Sequence, residues 1–141
     1  MPRYNSEKAA TIVSQIRSST ERLKTIAKTP EDQFLRDPDK IDSAKYNFVI
    51  GIEACIDLCN HIISQNGFRS PHDYADTFKV MEETGAFDSP FTSELQKMAK
   101  FRNRLVHLYW TIDNKQLYSI LQNHLGDFAK FLNSIAKFLN F

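Results

Sequence analysis

The chain has 141 residues, 42% of them hydrophobic and 11 of them phenylalanine, with a formal net charge of +1. That length suits one domain spanning residues 1–141, which can bury roughly 68–70% of its unfolded surface and needs no disulfide or metal to hold together. Four glycines and five prolines are too few for a turn-rich β architecture, and a charge near zero excludes the strongly basic surface of many nucleic-acid binders, so any RNA contact must come from a local patch.

Five main segments read as helices. Ile12, Val13, Ile16, Leu23 and Ile26 recur near helical spacing and predict a first helix from about Asn5 to Ala27. Thr29-Pro30-Glu31-Asp32 then reads as a fresh helix start, with proline in the first turn and acids favoured by the dipole; this short piece spans about Pro30 to Leu35. A second main helix is expected from about Asp39 to Ser64. Val49, Ile52, Ile56, Cys59 and Ile63 form its stripe, Phe48, Cys55 and Ile62 widen it, and Asn66-Gly67 provides the stop. A third helix covers about His72 to Thr84 and ends at Gly85. A fourth, capped by Ser89 before Pro90 or by Thr92 or Ser93, runs to about Tyr109–Thr111. Asp113-Asn114 then starts a fifth, nearly continuous apolar helix to Leu139. Nothing alternates at period two for long enough to make a strand. The expected fold is therefore an all-α, up-and-down bundle of about five helices.

Cys55 and Cys59 sit at i,i+4 in an apolar run. They read as small core residues rather than a disulfide or metal pair, a usage that suits a reducing cytoplasm. The first residues lead into a charged amphipathic segment rather than a secretory leader, and no run reaches the ~18 apolar residues of a membrane span. A cytoplasmic protein without membrane contact is expected.

The chemistry concentrates in Phe101 to Tyr109, F-R-N-R-L-V-H-L-Y, which sets Arg102, Asn103, His107 and Tyr109 within nine residues. At about 100° per residue, Asn103 and His107 share one face, at ~100° and ~140° from Arg102, while Tyr109 lies near Arg102 at ~340°. Met98, Phe101, Leu105 and Leu108 fall on the opposite, apolar side. Lys97, Lys100 and Arg104 form a basic flank just past His107. A guanidinium stays charged and donates in a planar fork to phosphate, and an imidazole exchanges protons near neutral pH. Arg102 and His107 are therefore the candidate catalytic pair. Asn103 is the candidate orienting group, and Lys97, Lys100 and Arg104 are candidate RNA contacts. One histidine cannot easily serve as base and acid in one pass, which favours a two-fold dimer that pairs the motif helices.

Other residues admit plainer readings. Glu53, Asp57 and His61 share a helical stripe, but i, i+4, i+8 spans about three turns, too far for one ion without a second helix. A dimer seam or solvated face is the expectation, with no metal and no cofactor. His72 and His124 belong to no cluster. The stretch from Lys130 to Phe141 carries only Lys130 and Lys137 as charges, so core or dimer packing is expected there rather than membrane binding.

The helix order, the string from Met98 to Asp113 (MAKFRNRLVHLYWTID) and the buried run from Phe48 to Ile63 (FVIGIEACIDLCNHII) resemble the HEPN superfamily. Within it the chain is most similar to the HepT toxins of HepT–MntA (MNT/HEPN) toxin–antitoxin modules. The resemblance implies a homodimeric, metal-independent endoribonuclease toxin that cuts RNA, tRNA among its targets. It implies Arg102, Asn103 and His107 as the site, and Tyr109 as the tyrosine that a partner MntA-like nucleotidyltransferase antitoxin modifies with AMP. It implies, more weakly, Glu53 as a supporting polar residue. The alternatives are a non-catalytic HEPN subunit that presents substrate to a nucleotidyltransferase, and a structural partner whose motif is interface chemistry alone.

Overall fold

The computed structural model describes residues 2–140. The first and last residues of the expected 1–141 span, and the Phe141 end of the expected last apolar stretch, lie outside the described residues. The described chain is all helical: α1 (Ser6–Ala27), α2 (Glu31–Leu35), α3 (Pro38–Asn66), α4 (Tyr74–Glu83), α5 (Ser89–His107), a 3-10 turn (Tyr109–Thr111), α6 (Asn114–Asn123) and α7 (Gly126–Leu139). The five expected main helices are all present, with two differences of boundary that bear on function.

The first is at α5, which stops at His107 because Leu108 leaves helical geometry (φ −133°, ψ 40°) and begins the 3-10 turn. Leu108, expected in the core stripe, is instead 45% exposed. The second is in the fifth helix, which breaks at His124-Leu125 into α6 and α7. Its apolar residues Leu117, Leu121, Phe128, Phe131, Ile135 and Leu139 are all buried, and their spacing runs on through the break, so periodicity gives no sign of it. Gly126, a poor helix former, is the one local signal.

Side chains of aspartate and asparagine start most of the helices by accepting from otherwise unpaired N–H groups. Asn5 caps α1, Asp37 caps α3 over Pro38, Asp73 caps α4, Asp88 caps α5 in place of the expected serine or threonine, and Asp113 caps α6. Gly67 closes α3 at φ 64°, where a β-carbon would be strained.

The core runs along α3, against which α1 packs most extensively. Phe34, Phe48, Ile52, Ile56, Leu58, Ile62, Phe78, Phe128 and Phe131 are among its fully buried side chains, each contributing about 1.5–3 kcal/mol. Gly51 lets α1, α3 and α7 approach closely, since a β-carbon there would meet the Phe128 ring at 3.3 Å and Ser19 Cβ at 3.4 Å. By length and mean hydropathy (1.2), α3 would suffice to cross a membrane, but 67% of that apolar window is buried within the protein, which makes it the central core helix. Cys55 and Cys59 are free and buried there, and burial pushes both thiols up.

His61, expected on a solvated or dimer-facing stripe, is buried, and its Nε2 accepts from the backbone N–H of Asn5 at 2.8 Å. The Asn66 amide pairs with both backbone groups of Arg3 (2.7 and 2.8 Å). These bonds fasten the segment before α1 onto the last two turns of α3. Burial, then the nearby Lys8 charge, lowers the His61 pKa, so the neutral acceptor is the folded form. Its stabilising contribution is therefore complete above the unfolded pKa of about 6.5 and is lost as pH falls through the lower folded value. His61→Ala is expected to cost about 1–3 kcal/mol at pH 7 by leaving the Asn5 N–H unpaired. Below pH 6 the gap in Tm between wild type and variant should narrow, as read by circular dichroism melts across pH 5 to 8.

Candidate active site at the end of α5

Arg102 is anchored by α3 and α4. Its Nε and Nη2 both donate to Glu53 Oε1, at 2.9 and 2.5 Å, and Nη1 donates to Asn103 Oδ1 at 3.1 Å. The ring of Tyr74 lies against the guanidinium, 4.9 Å from Cζ to its centroid. The Arg102 side chain is only 12% exposed and Glu53 34%, so the pair is shielded from much of the screening that weakens surface ion pairs. Glu53, which the resemblance put only weakly near the site, is the partner of Arg102. Three of the five guanidinium N–H groups are engaged and two have no partner among the described residues.

Tyr74 carries no signal in the sequence as a site residue, since it follows the α4 cap and belongs to no motif. Its position is fixed by a cluster on the preceding loop. Arg69 bonds Asp76 through both Nη atoms (2.8 and 2.9 Å) and reaches Glu83 through Nε and Nη2 (2.9 Å each). This fork holds the Asp76 carboxyl well below the usual carboxylate range and clamps the loop to both ends of α4.

His107 ends α5, exposed, with no hydrogen-bond partner among the described residues; Asn103, one turn before it, is exposed as well. Arg102 and His107 are separated by about 7.5 Å along the axis and about 140° around it. Arg102 points toward α3 and α4, and His107 does not share that face. The motif alone therefore does not close a site within one chain.

Tyr109 was expected beside Arg102 on a continuing helix. It instead leaves on the 3-10 turn with Trp110, and the two rings meet edge to face at 5.3 Å between centroids. Both are solvent-facing, Tyr109 62% and Trp110 68% exposed, so neither packs in the core of this chain.

Lys97, Lys100 and Arg104 line a groove of about 290 Å³ between α5 and the α6–α7 pair, with Met98, Phe101 and Ile120 as its apolar part. Lys97 pairs with Glu94 at 3.1 Å, and Arg104 Nη2 donates to the Thr111 carbonyl at 3.1 Å, tying the 3-10 turn back to α5. Lys100 is exposed. The α3 stripe read against metal binding is committed elsewhere: Glu53 holds Arg102, and His61 holds Asn5. Partial desolvation and the Glu53 charge, opposed by Lys8, raise the Asp57 carboxyl. His124, read as isolated, in fact lies in a group with Glu94 and Asp127 whose donor atoms fall within 4.8 Å of one another. Glu94 is eight residues before Arg102, about 12 Å along the axis.

The bundle carries Arg-Asn-x3-His at a helix end with an aromatic turn behind it, and its fold is that of a solved HEPN toxin. The tri-AMPylated HEPN toxin of Shewanella oneidensis, solved in complex with its MNT antitoxin, superposes with a TM-score of 0.84 at 28% identity, covering 92% of this chain and 96% of that one. A toxin–antitoxin complex solved with AMP-PNP superposes with a TM-score of 0.85 at 27% identity, covering 92% and 97%. The chain belongs to the Ribonuclease HepT-like family, whose pattern matches residues 16–135. It is 31% identical over 126 residues to the mRNA nuclease HepT of Shewanella oneidensis, covering 88% of this chain and 95% of that protein. Fold, motif and family make it a HepT-like RNase of the toxin class.

If Glu53 and Tyr74 serve to aim Arg102, their loss should misplace the guanidinium without unfolding the bundle. Glu53→Gln and Tyr74→Phe are expected to fold normally, with RNA cleavage reduced on the order of 10- to 100-fold by Glu53→Gln and little changed by Tyr74→Phe, which keeps the ring. The loss should fall on kcat rather than KM in single-turnover and steady-state assays.

Proposed function

We propose that the protein is a metal-independent endoribonuclease toxin that cleaves RNA at a site shared between two copies of the chain. One observation carries this reading. A guanidinium held by Glu53 and an exposed imidazole, with two N–H groups of the first and both ring nitrogens of the second unpartnered among the described residues, occupy the same helix end but point to different sides of it. A two-fold axis beside the end of α5 would set the Arg102 of each copy near the His107 of its mate and supply two imidazoles to one cleft.

In that cleft the RNA 2′-hydroxyl attacks the adjacent phosphorus. One His107 takes the 2′ proton, the other protonates the departing 5′-oxygen, and the bond to that oxygen breaks. Arg102, stiffened by Glu53 and Tyr74, donates to the non-bridging oxygens as charge accumulates on them. Asn103 holds the Nη1 side of the fork in register. The products are a 2′,3′-cyclic phosphate and a free 5′-hydroxyl. Lys100, Lys97 and Arg104 draw the flanking backbone along the groove; tRNA and mRNA are the substrate classes to test first, and the cytoplasm is where they are met.

The cognate MntA-like nucleotidyltransferase is the proposed antitoxin, and Tyr109 its target. AMP on Tyr109 would place a phosphate charge and a nucleotide beside the cleft, where both compete with the substrate backbone. Expression of the chain alone should arrest growth. Arg102→Ala and His107→Ala should relieve the arrest and lower cleavage of total RNA by about 10²- to 10⁴-fold, with activity unaffected by EDTA. Tyr109→Phe should keep cleaving but escape silencing by the co-expressed partner. Cleavage that requires a divalent metal and leaves 3′-hydroxyl ends would overturn the scheme.

A further inference from the structure

Trp110 has a role still to be assigned. It is the only tryptophan in the chain, and at 68% exposure it contributes little to the core. An indole left in water on a mobile loop would carry no meaning, but this one is held firmly. Thr111 N–H and Thr111 Oγ1 both donate to the Leu108 carbonyl (2.9 and 2.7 Å), and Ile112 N–H donates to the Tyr109 carbonyl at 3.3 Å. Arg104 Nη2 binds the Thr111 carbonyl, and Ile112 is buried in the core directly after the turn. Tyr109 braces the indole edge to face rather than in a stack, an arrangement that does not use up both flat faces. The hydrogen-bonded turn therefore carries an exposed aromatic pair three residues beyond His107, with the Arg104 guanidinium bonded to the turn itself.

We propose that Trp110 is a base-stacking residue of the RNA site, taking an unpaired nucleobase next to the phosphate that is cut. This rests on the ribonuclease reading and adds to it the class of substrate: single-stranded RNA, in a loop or unpaired run. A flat indole on a turn held by an arginine suits a base next to a phosphate. Stacking on an aromatic face is open to every base but requires that base to be out of a duplex. Paired RNA offers no free face and is a poor substrate. The pre-formed turn avoids the ordering cost that a flexible aromatic would incur on binding.

The sole tryptophan makes the test direct. His107→Ala protein, which should bind without cutting, is titrated with a ten-nucleotide single-stranded RNA of mixed sequence carrying a fluorescent end label. Label anisotropy and tryptophan emission are followed together. The expected result is quenching of Trp110 emission along the same curve as the anisotropy rise, and no quenching by the matching duplex. Adding Trp110→Ala is expected to weaken binding about tenfold or more, and Trp110→Phe to restore most of it. RNA that binds without quenching, or with affinity indifferent to Trp110→Ala, overturns the stacking role while leaving the ribonuclease reading standing. Emission that shifts to the blue with protein concentration, without RNA, assigns the indole to a contact between copies and also overturns it. No anisotropy change at all removes the ribonuclease reading and this inference together.

Discussion

The ion pair between Arg102 and Glu53 is the constraint on which the candidate site depends. It joins α5 to the central helix α3, and it converts a long, many-rotamer side chain into a fixed donor. A free arginine on the surface would lose much of its binding energy to ordering on every encounter with a phosphate. Here the ordering is done during folding. The same carboxylate neutralises part of the guanidinium charge, so in the proposed scheme long-range attraction would come from Lys100 and its neighbours rather than from Arg102. Under the proposed mechanism, recruitment and chemistry would fall to different residues of one helix.

The division of α5 into sides follows from packing. Leu95, Met98, Phe101 and Leu105 are buried and fix how the helix is rotated against α3, with Phe101 meeting Phe48 edge to face at 5.5 Å. That rotation decides that Arg102 turns inward to Glu53 and Tyr74, and that Asn103 and His107 stay outside. The helix then has to end at His107, since Leu108 leaves helical geometry and the Arg104–Thr111 bond folds the following turn back. The Arg69 cluster is linked to Arg102 through α4 and the Tyr74 ring.

Much of the fold was legible in the chain because its signals are local. Apolar spacing marked the helices, Asp113 and Gly67 marked a start and a stop, and the buried cysteines read as core. The unread parts are those where local pattern and tertiary demand part company. The stripe from Leu117 to Leu139 keeps its period across the break at His124, so only Gly126 betrayed it. Leu108 fitted the apolar face of an ideal helix that in fact ends one residue earlier. Tyr74 and the linking of His61 to Asn5 depend on contacts between segments far apart in sequence, which spacing does not report. Helix geometry already set His107 about 140° from Arg102; what spacing did not report is that Arg102 turns in to Glu53 and Tyr74 from other helices.

The sealed thiols have one more consequence. Cys55 and Cys59 lie wholly within the bundle, and burial keeps both in the protonated, unreactive form. Thiol reagents and disulfide exchange therefore reach neither cysteine while the bundle stays folded.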